Sequence, residues 1–309
     1  MNKENKAATQ LMYDVVILTD NRYVNPIKKD WYINQVLLED QLLQTELENN
    51  NLKVCKKDWA DKEFNWSNTK FAIFRTTWDY FERFNEFFAW IEATQSKTTF
   101  INSSEIIKWN IDKHYLKDLE NKGINIASTI FIEKGDEISL KELFKNTKWK
   151  EAVIKPAVSG AARHTYKIHV EEHNKYEEQF KKLIQQESML FQVFLKDIEI
   201  FGEISLMIIG GEYTHAVRKI AKKGDFRVQD DHGGIVKKHK PLLEEIKFAE
   251  KCIQESPYNP LYARVDIVYD NNNKLSLSEL ELIEPELWFR KNRNSAKKLA
   301  EKIAKIISS

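Results

Sequence analysis

Three carboxylates late in the chain are spaced for shared chemistry. Glu279 and Glu281 stand two apart in the stretch Leu275 to Ile283. A strand there turns both side chains to one face and turns Leu280 and Leu282 to the other. Asp266 lies in the middle of the preceding strand pattern, Tyr262 to Tyr269, and the turn Asp270-Asn271-Asn272-Asn273 joins the two. Carboxylates on one sheet face repel unless a cation or solvent compensates. Hard oxygen ligands of this kind suit Mg²⁺ shared with substrate phosphates. An edge sheet with a wet acidic face accounts for them equally well.

Lys155 ends the apolar run Ala152-Val153-Ile154, where a lysine is rare, and it can project a point charge toward a phosphate. The small loop Ser159-Gly160-Ala161-Ala162 follows, whose backbone N–H groups could close over that phosphate. It is not a Walker loop, which needs Gly-Lys-Ser/Thr opening a helix. A third group is basic: Arg218, Lys219 and Arg227, near His232-Gly233-Gly234. The planar fork of Arg227 suits a transferring phosphoryl group; a solvated strand face is the alternative. Early in the chain, Arg75-Thr76-Thr77-Trp78-Asp79-Tyr80 offers a cation for a carboxylate, hydroxyls, an acid for an ammonium and aromatic walls. There is no Gly-x-Ser-x-Gly elbow. His169 and His173 lack the company of a zinc site, and the tryptophans read as core or pocket walls.

The elements that must position these residues fall into two styles. From Tyr13 to Asn102, strands near Tyr13–Leu18, Leu52–Cys55, Phe71–Phe74 and Thr99–Asn102 alternate with helical stretches Ile33–Leu47 and Phe84–Ala93. That alternation predicts a parallel, doubly wound sheet with ligands beyond the carboxyl ends of its strands. Past residue 105, Ile107, Ile111, Tyr115, Leu116 and Leu119 give helical spacing ending at Gly123. Strands Thr129–Glu133, Ala152–Pro156, Thr165–Val170, Met189–Phe194, Glu203–Ile209 and Tyr213–Ile220 follow, with helices Lys175–Gln186 and Pro241–Ser256 and a basic terminal helix. Gly210-Gly211 suits a tight hairpin. Lys237-Lys238-His239-Lys240 reads as a solvated loop or helix start.

Lys plus Arg number 48 against 47 Asp plus Glu, so nothing favours nucleic acid or an anionic membrane as partner. Cys55 and Cys252 are far apart, which excludes a disulfide framework and fits a reducing compartment. No apolar run approaches a membrane span, and the polar start Met1 to Gln10 lacks a signal-peptide core. The expectation is a cytoplasmic protein whose first eleven residues are a frayed or vector-derived tail.

Taken in order, the motifs resemble the ATP-grasp superfamily, in its branch near prokaryotic glutathione synthetase. They are Trp109-Asn110-Ile111-Asp112-Lys113-His114-Tyr115-Leu116, Val153-Ile154-Lys155-Pro156 and Phe191-Gln192-Val193-Phe194-Leu195. Then come Gly202-Glu203-Ile204-Ser205, His215-Ala216-Val217-Arg218-Lys219, His232-Gly233-Gly234, Ala263-Arg264-Val265-Asp266 and Glu279 to Pro285. The first and last blocks look most like the cyclo-ligase of cycloserine biosynthesis. The resemblance implies an α/β (α+β) ATP-grasp fold. A Rossmann-like substrate domain (12–104) would be followed by a central lobe with a lid loop (105–190). A C-terminal lobe with the metal site (191–309) would complete it, with ATP between the two lobes.

It also implies roles. Lys113 and Lys155 would bind the α- and β-phosphates of ATP, with Ser159 and Gly160 in the lid, which runs to Arg163. Gln192, Val193, Phe194 and Leu195 would hold adenine. Glu203 would take the ribose, with Glu199 as rival. Asp266, Glu279 and Glu281 would hold two Mg²⁺ ions, with Mn²⁺ as a substitute; in much of the superfamily the third ligand is asparagine. Arg227 and Lys219 would act on the acyl-phosphate. Arg75, Thr76, Asp79, His215, Gly233 and Gly234 would contact substrate, with His215 the candidate base. The reaction expected is ADP-forming ligation of a small-molecule carboxylate to an amine. An intramolecular cyclo-ligase and a non-catalytic nucleotide-binding protein are the alternatives, and a homodimer or higher homo-oligomer is left open.

Overall fold

The computed structural model describes residues 12–222, 224–228 and 233–308. The polar start Met1 to Gln10 and His232 lie outside the described residues. The chain forms two compact units. One takes the residues up to Ile107, Pro260–Tyr262 and those from Leu282 on; the other takes Lys108–Asn259 and Ala263–Glu281.

In the first unit, β1 (Tyr13–Thr19), β2 (Val54–Asp58), β3 (Thr69–Thr76) and β4 (Thr99–Ile101) make a parallel sheet in the order β2-β1-β3-β4. Val15 to Leu18 are fully buried, as a strand covered on both faces requires. The chain leaves β1 for β2 on one side and returns to β3 on the other. The carboxyl ends of β1 and β3 therefore flank the switch point where such sheets take ligands. Helix α1 (Trp31–Asn49) starts on Asp30, whose carboxylate accepts the Ile33 N–H at 2.8 Å. Helix α2 (Phe84–Thr94) buries Phe87 and Ile91. Edge-on contacts join Phe87 and Trp90 to Trp59 at 5.0 and 5.9 Å, so these tryptophans are core. Mid-helix in α1, the buried Glu39 carboxylate accepts the amides of Phe289 and Arg290 at 2.7 and 2.9 Å and pairs with the Arg290 guanidinium at 3.0 Å. It thereby anchors the returning loop ahead of the last helix, α9 (Arg293–Ser308), which packs on α1.

The second unit opens with the Lys108 end of α3 (Ser104–Asn110) and α4 (Tyr115–Asn121). The expected single helix is broken at 111–114. There the Lys113 amide donates to the Ala157 carbonyl at 2.9 Å, and Asp112 accepts the His114 amide at 2.9 Å. These bonds replace the helical ladder. A four-stranded sheet follows in the order β5-β8-β6-β7: β5 (Thr129–Ile132), β6 (Glu151–Pro156), β7 (Tyr166–His169) and β8 (Met189–Val193). Helices α5 (Leu140–Thr147) and α6 (His173–Ile184) cover one face, closing a core around Leu143, Phe144, Phe180 and Phe191.

After the short α7 (Asp197–Ile200) comes a five-stranded antiparallel sheet in the order β11-β10-β9-β12-β13. It comprises β9 (Glu203–Ile209), β10 (Glu212–Ile220), β11 (Ile235–His239), β12 (Tyr262–Tyr269) and β13 (Leu275–Glu281), with α8 (Leu243–Gln254) against it. Gly210 and Gly211 turn the β9–β10 hairpin with φ of 59° and 80°. Here the lysine run departs from the expected loop or helix start. Lys237, Lys238 and His239 lie in β11, paired with Arg218, Val217 and Ala216. Ile235 and Val236 begin the strand, and lysines on its outer edge discourage further strand pairing. Among the described residues no helix is long and apolar enough to cross a membrane.

Candidate functional site

The acidic face of the second unit is built by register. Asp266 stands opposite Glu279, and Arg264 opposite Glu281, across the β12–β13 pair. One oxygen from each of Asp266, Glu279 and Glu281 lies within 4.8 Å of the other two. Arg264 sits among them. Its Nε and Nη2 donate to Asp266 at 3.0 and 2.8 Å, and Nη2 also meets Glu281. From β10, Lys219 reaches Asp266 at 3.0 Å and also pairs with Glu203 on β9. The Glu203 carboxylate accepts the Ser278 hydroxyl at 2.9 Å.

Two lysines from outside this sheet complete the cluster. The break between α3 and α4 aims Lys113 inward, where its Nζ lies 3.1 Å from Glu279 and donates to the Ser159 carbonyl at 2.7 Å. Lys155, near the end of β6, interacts with Glu279, Lys113 and Glu203 through their charges. The cluster thus balances four carboxylates (Glu203, Asp266, Glu279, Glu281) against four cations (Lys113, Lys155, Lys219, Arg264).

These neighbours set the ionisation. Burial opposes the charge on Asp266, but Arg264 and Lys219 outweigh it and hold the carboxyl well below the usual range. Burial likewise opposes Glu279, and Lys113 and Lys155 win there, so its pKa is lowered. Burial pushes the Lys155 ammonium down; Glu279 works against that, and Lys113 adds to it. Lys219 is raised despite its burial, by Asp266 and Glu203. Glu203 is raised because burial exceeds the pull of Lys219.

The donor set fits a metal–nucleotide complex. Hard oxygens from paired strands face cations from two other elements, as Mg²⁺ bridging a polyphosphate requires. A nucleotide triphosphate carries about four negative charges, which two divalent ions neutralise. Such a complex enters a balanced cluster without upsetting it, whereas a bare triphosphate would not.

The other expected residues are placed as follows. Ser159 and Gly160 lie in a loop where Ala161, Ala162 and His164 take φ of 48°, 54° and 50°. Arg163 ties this loop to Glu187, its Nη1 donating at 3.0 Å. At the end of β8, the buried Gln192 side chain donates to Thr129 at 2.8 Å. The Val193 and Phe194 amides donate to Ser128 and Glu151, and the Phe194 carbonyl accepts from Asn271. Leu195 follows, its side chain buried. Glu199 pairs with Lys167 at 2.8 Å. Arg227 is held by Asp225 on its own loop at 2.7 Å; the guanidinium inside the acidic cluster is that of Arg264. His215 is buried, with Nδ1 3.0 Å from the Thr214 hydroxyl. It stands four residues along β10 from Lys219, a rise of roughly 13 Å. Gly233 and Gly234 lead into β11.

In the first unit, Arg75 is 1% exposed, its Nε and Nη1 have no hydrogen-bond partner, and its guanidinium carbon lies 5.3 Å from the centre of the Phe289 ring. Thr76 is buried, its hydroxyl bonded to Thr19 and Asp40. Asp79 accepts from the Trp59 indole and from Arg83, both at 2.7 Å.

Sequence reasoning assigned no role to Arg264, although its place two before Asp266 on one strand put it on the acidic face. It also missed the role of Asn110. That side chain donates to the Leu280 carbonyl at 2.8 Å, and the Leu280 amide donates to the Tyr115 hydroxyl at 2.9 Å.

Residues 113–307 match the family described as the RimK-like ATP-grasp domain. Residues 15–102 match the N-terminal domain of D-cycloserine synthetase DcsG. Cycloserine biosynthesis protein DcsG of Streptomyces lavendulae is 24% identical over 267 residues, 82% of this chain and 87% of the relative. The crystal structure of D-cycloserine synthetase DcsG shares the fold with a TM-score of 0.84 at 19% identity, covering 95% of this chain and 99% of that one. D-alanine–D-alanine ligase from Bacillus anthracis follows at 0.65 and 15%, covering 96% and 97%. The ATP-grasp ligase PsnB, solved with minimal precursor, Mg and ADP, stands at 0.61 and 12%, covering 96% and 98%. With one family model spanning more than half of its residues and an ATP-grasp fold throughout, the chain belongs to the RimK-like ATP-grasp family of ATP-dependent ligases.

Proposed function

We propose that the protein is an ADP-forming carboxylate–amine ligase acting on an amino-acid-like small molecule. The observation that carries the reading is the meeting of Lys113 and Lys155 with Asp266, Glu279 and Glu281 in one charge-balanced cluster. Lys113 and Lys155 hold the phosphates of ATP, and Asp266, Glu279 and Glu281 hold the divalent ions. Held there, Mg²⁺ would supply positive charge that offsets the charge developing on the phosphate during transfer. The Leu195 backbone is assigned to adenine, since the Val193 and Phe194 amides already have protein partners. Glu203 is assigned to the ribose.

A substrate carboxylate oxygen attacks the γ-phosphorus, the bond to ADP breaks, and an acyl-phosphate forms. An amine then attacks the acyl carbon, phosphate leaves, and the amine gives up a proton. Positioning and charge neutralisation suffice for the first step, so no protein nucleophile is needed. Arg264 and Lys219, fixed by Asp266, are the preorganised cations for the transferring group. Arg227 is a second guanidinium available from its loop, and the Ser159–Arg163 segment covers the phosphates and excludes water. His215 remains the proposed acceptor of the amine's proton.

Substrate choice is assigned to segment 12–104, with 105–190 and 191–309 as the nucleotide-binding parts. Arg75 supports this. A buried guanidinium with orphaned donors beside the switch point of a parallel sheet asks for an oxyanion, and a carboxylate matches its fork. A second reading, intramolecular ring closure, is favoured by the likeness to cycloserine synthetase over most of the chain.

The test is ADP release with Mg-ATP and pooled amino acids and small carboxylates, followed by product mass. Joined partners indicate ligation between molecules; loss of water or a small leaving group from one substrate indicates cyclisation. Glu279→Gln and Lys155→Ala each abolish ADP formation with the fold intact by circular dichroism. Undiminished turnover in either variant contradicts the assignment.

A further inference from the structure

β13 ends the row of strands in its sheet, and on its outer side a single isolated parallel bridge is found among the described residues, Ile126 to Leu277, with the Leu277 N–H donating to the Asn125 carbonyl at 2.8 Å. This strand carries Glu279 and Glu281, and a slip of one residue would throw both carboxylates to the opposite face. The residue between them is Leu280, opposite Val265 on β12. Both of its backbone polar groups are taken from the outer side. The Leu280 N–H donates to the Tyr115 hydroxyl at 2.9 Å, and its C=O accepts from the Asn110 side chain at 2.8 Å. Both partners are buried, at 7% for Asn110 and 3% for Tyr115. They flank the break between α3 and α4 that delivers Lys113 to within 3.1 Å of Glu279.

We propose that Asn110 and Tyr115 are positioning residues that clamp the backbone between Glu279 and Glu281, fixing the bite of the carboxylate set on its divalent cation. They also tie the phosphate-binding lysine to the metal-binding strand. The two residues form an amide–hydroxyl fork that reads one peptide unit on each side of Leu280. They take the place of a strand neighbour at the end of β13 that carries the two glutamates, beyond the bridge at Leu277. Both bonds are made to the Leu280 backbone, so their effect on the carboxylates passes through the strand. Removing the Tyr115 hydroxyl leaves a buried N–H unpaired and frees one side of the clamp while preserving the ring that packs beside Trp109.

The inference rests on the metal–nucleotide reading, and its test separates the two. Mn²⁺ binding is measured by calorimetry in the presence of the non-hydrolysable analogue AMPPNP, on the whole chain. Tyr115→Phe and Asn110→Ala each weaken Mn²⁺ binding about tenfold or more, the usual scale for groups that orient ligands from behind. Ile132→Val, in the separate core under β5, lowers the melting temperature without changing Mn²⁺ affinity. If Tyr115→Phe, folded, binds Mn²⁺ as the wild type does, or if Ile132→Val weakens it equally, the clamp is wrong and the metal assignment stands. A wild type that binds no Mn²⁺ under these conditions overturns both.

Discussion

Lys155, proposed to hold a phosphate of ATP, illustrates at the scale of one residue how a binding role is set against stability. The residue is half-buried near the end of β6, and burial of its charge lowers its pKa from the ordinary 10.5 in spite of Glu279. The charged form is therefore less favoured in the folded chain than in the unfolded one. That penalty is full below the folded pKa and fades as pH rises toward 10.5. Lys155→Met accordingly raises the melting temperature of the nucleotide-free protein at pH 7, and the gain shrinks as the pH approaches 10.5. A melting temperature that falls at pH 7, or a difference that does not vary with pH, contradicts this. Glu279 has the opposite sign. Held below its ordinary 4.5, it contributes stability above that value and loses it as pH falls. Much at this scale was legible in sequence, because a strand's period of two put Glu279 and Glu281 on one face and an apolar run made the lysine ending it conspicuous; that Asp266 joins them is set by the β12–β13 register. The same period put Arg264 on the face of Asp266, but its role was not legible, since an arginine in a strand carries no sign of whether it pairs with solvent or, as here, with two carboxylates.

The elements were legible where hydrophobic period and turn residues agreed, as in the β9–β10 hairpin over Gly210-Gly211 and the buried β1. They were not where tertiary bonds overrode the pattern. The apolar spacing from Ile107 to Leu119 is helical, yet the Ala157 carbonyl takes the Lys113 amide and breaks the helix where the lysine must turn inward. The run 237–240 looked solvated because its lysines are; that they guard a strand edge depends on β10 lying beside them. Gly202, just ahead of β9, shows how tightly these strands are set. It has φ of 81°, and a Cβ there would stand 2.1 Å from the Lys219 carbonyl oxygen. Gly202→Ala must therefore move backbone against the strand that carries the buried Lys219. It costs more than about 1 kcal/mol in urea denaturation and lowers ADP formation through displacement of Lys219. Stability within error of the wild type contradicts that close approach.

Across the whole molecule, the parallel sheet of the first unit and the two antiparallel sheets of the second follow from the change of style the sequence shows near residue 105. The returns of residues 260–262 and of those from 282 on to the first unit do not. They depend on long-range anchors such as Glu39 holding the amides of Phe289 and Arg290, which no local pattern announces. On the proposed function, the balanced charge in the second unit has a consequence for the entire protein: nucleotide and metal bind as one complex and stabilise the fold together. Titration of AMPPNP by calorimetry, with and without Mg²⁺, measures this directly. The wild type should bind the analogue at least about tenfold more tightly with Mg²⁺, and Glu279→Gln should lose that enhancement. Equal binding with and without Mg²⁺, or a full enhancement in Glu279→Gln, would contradict the account.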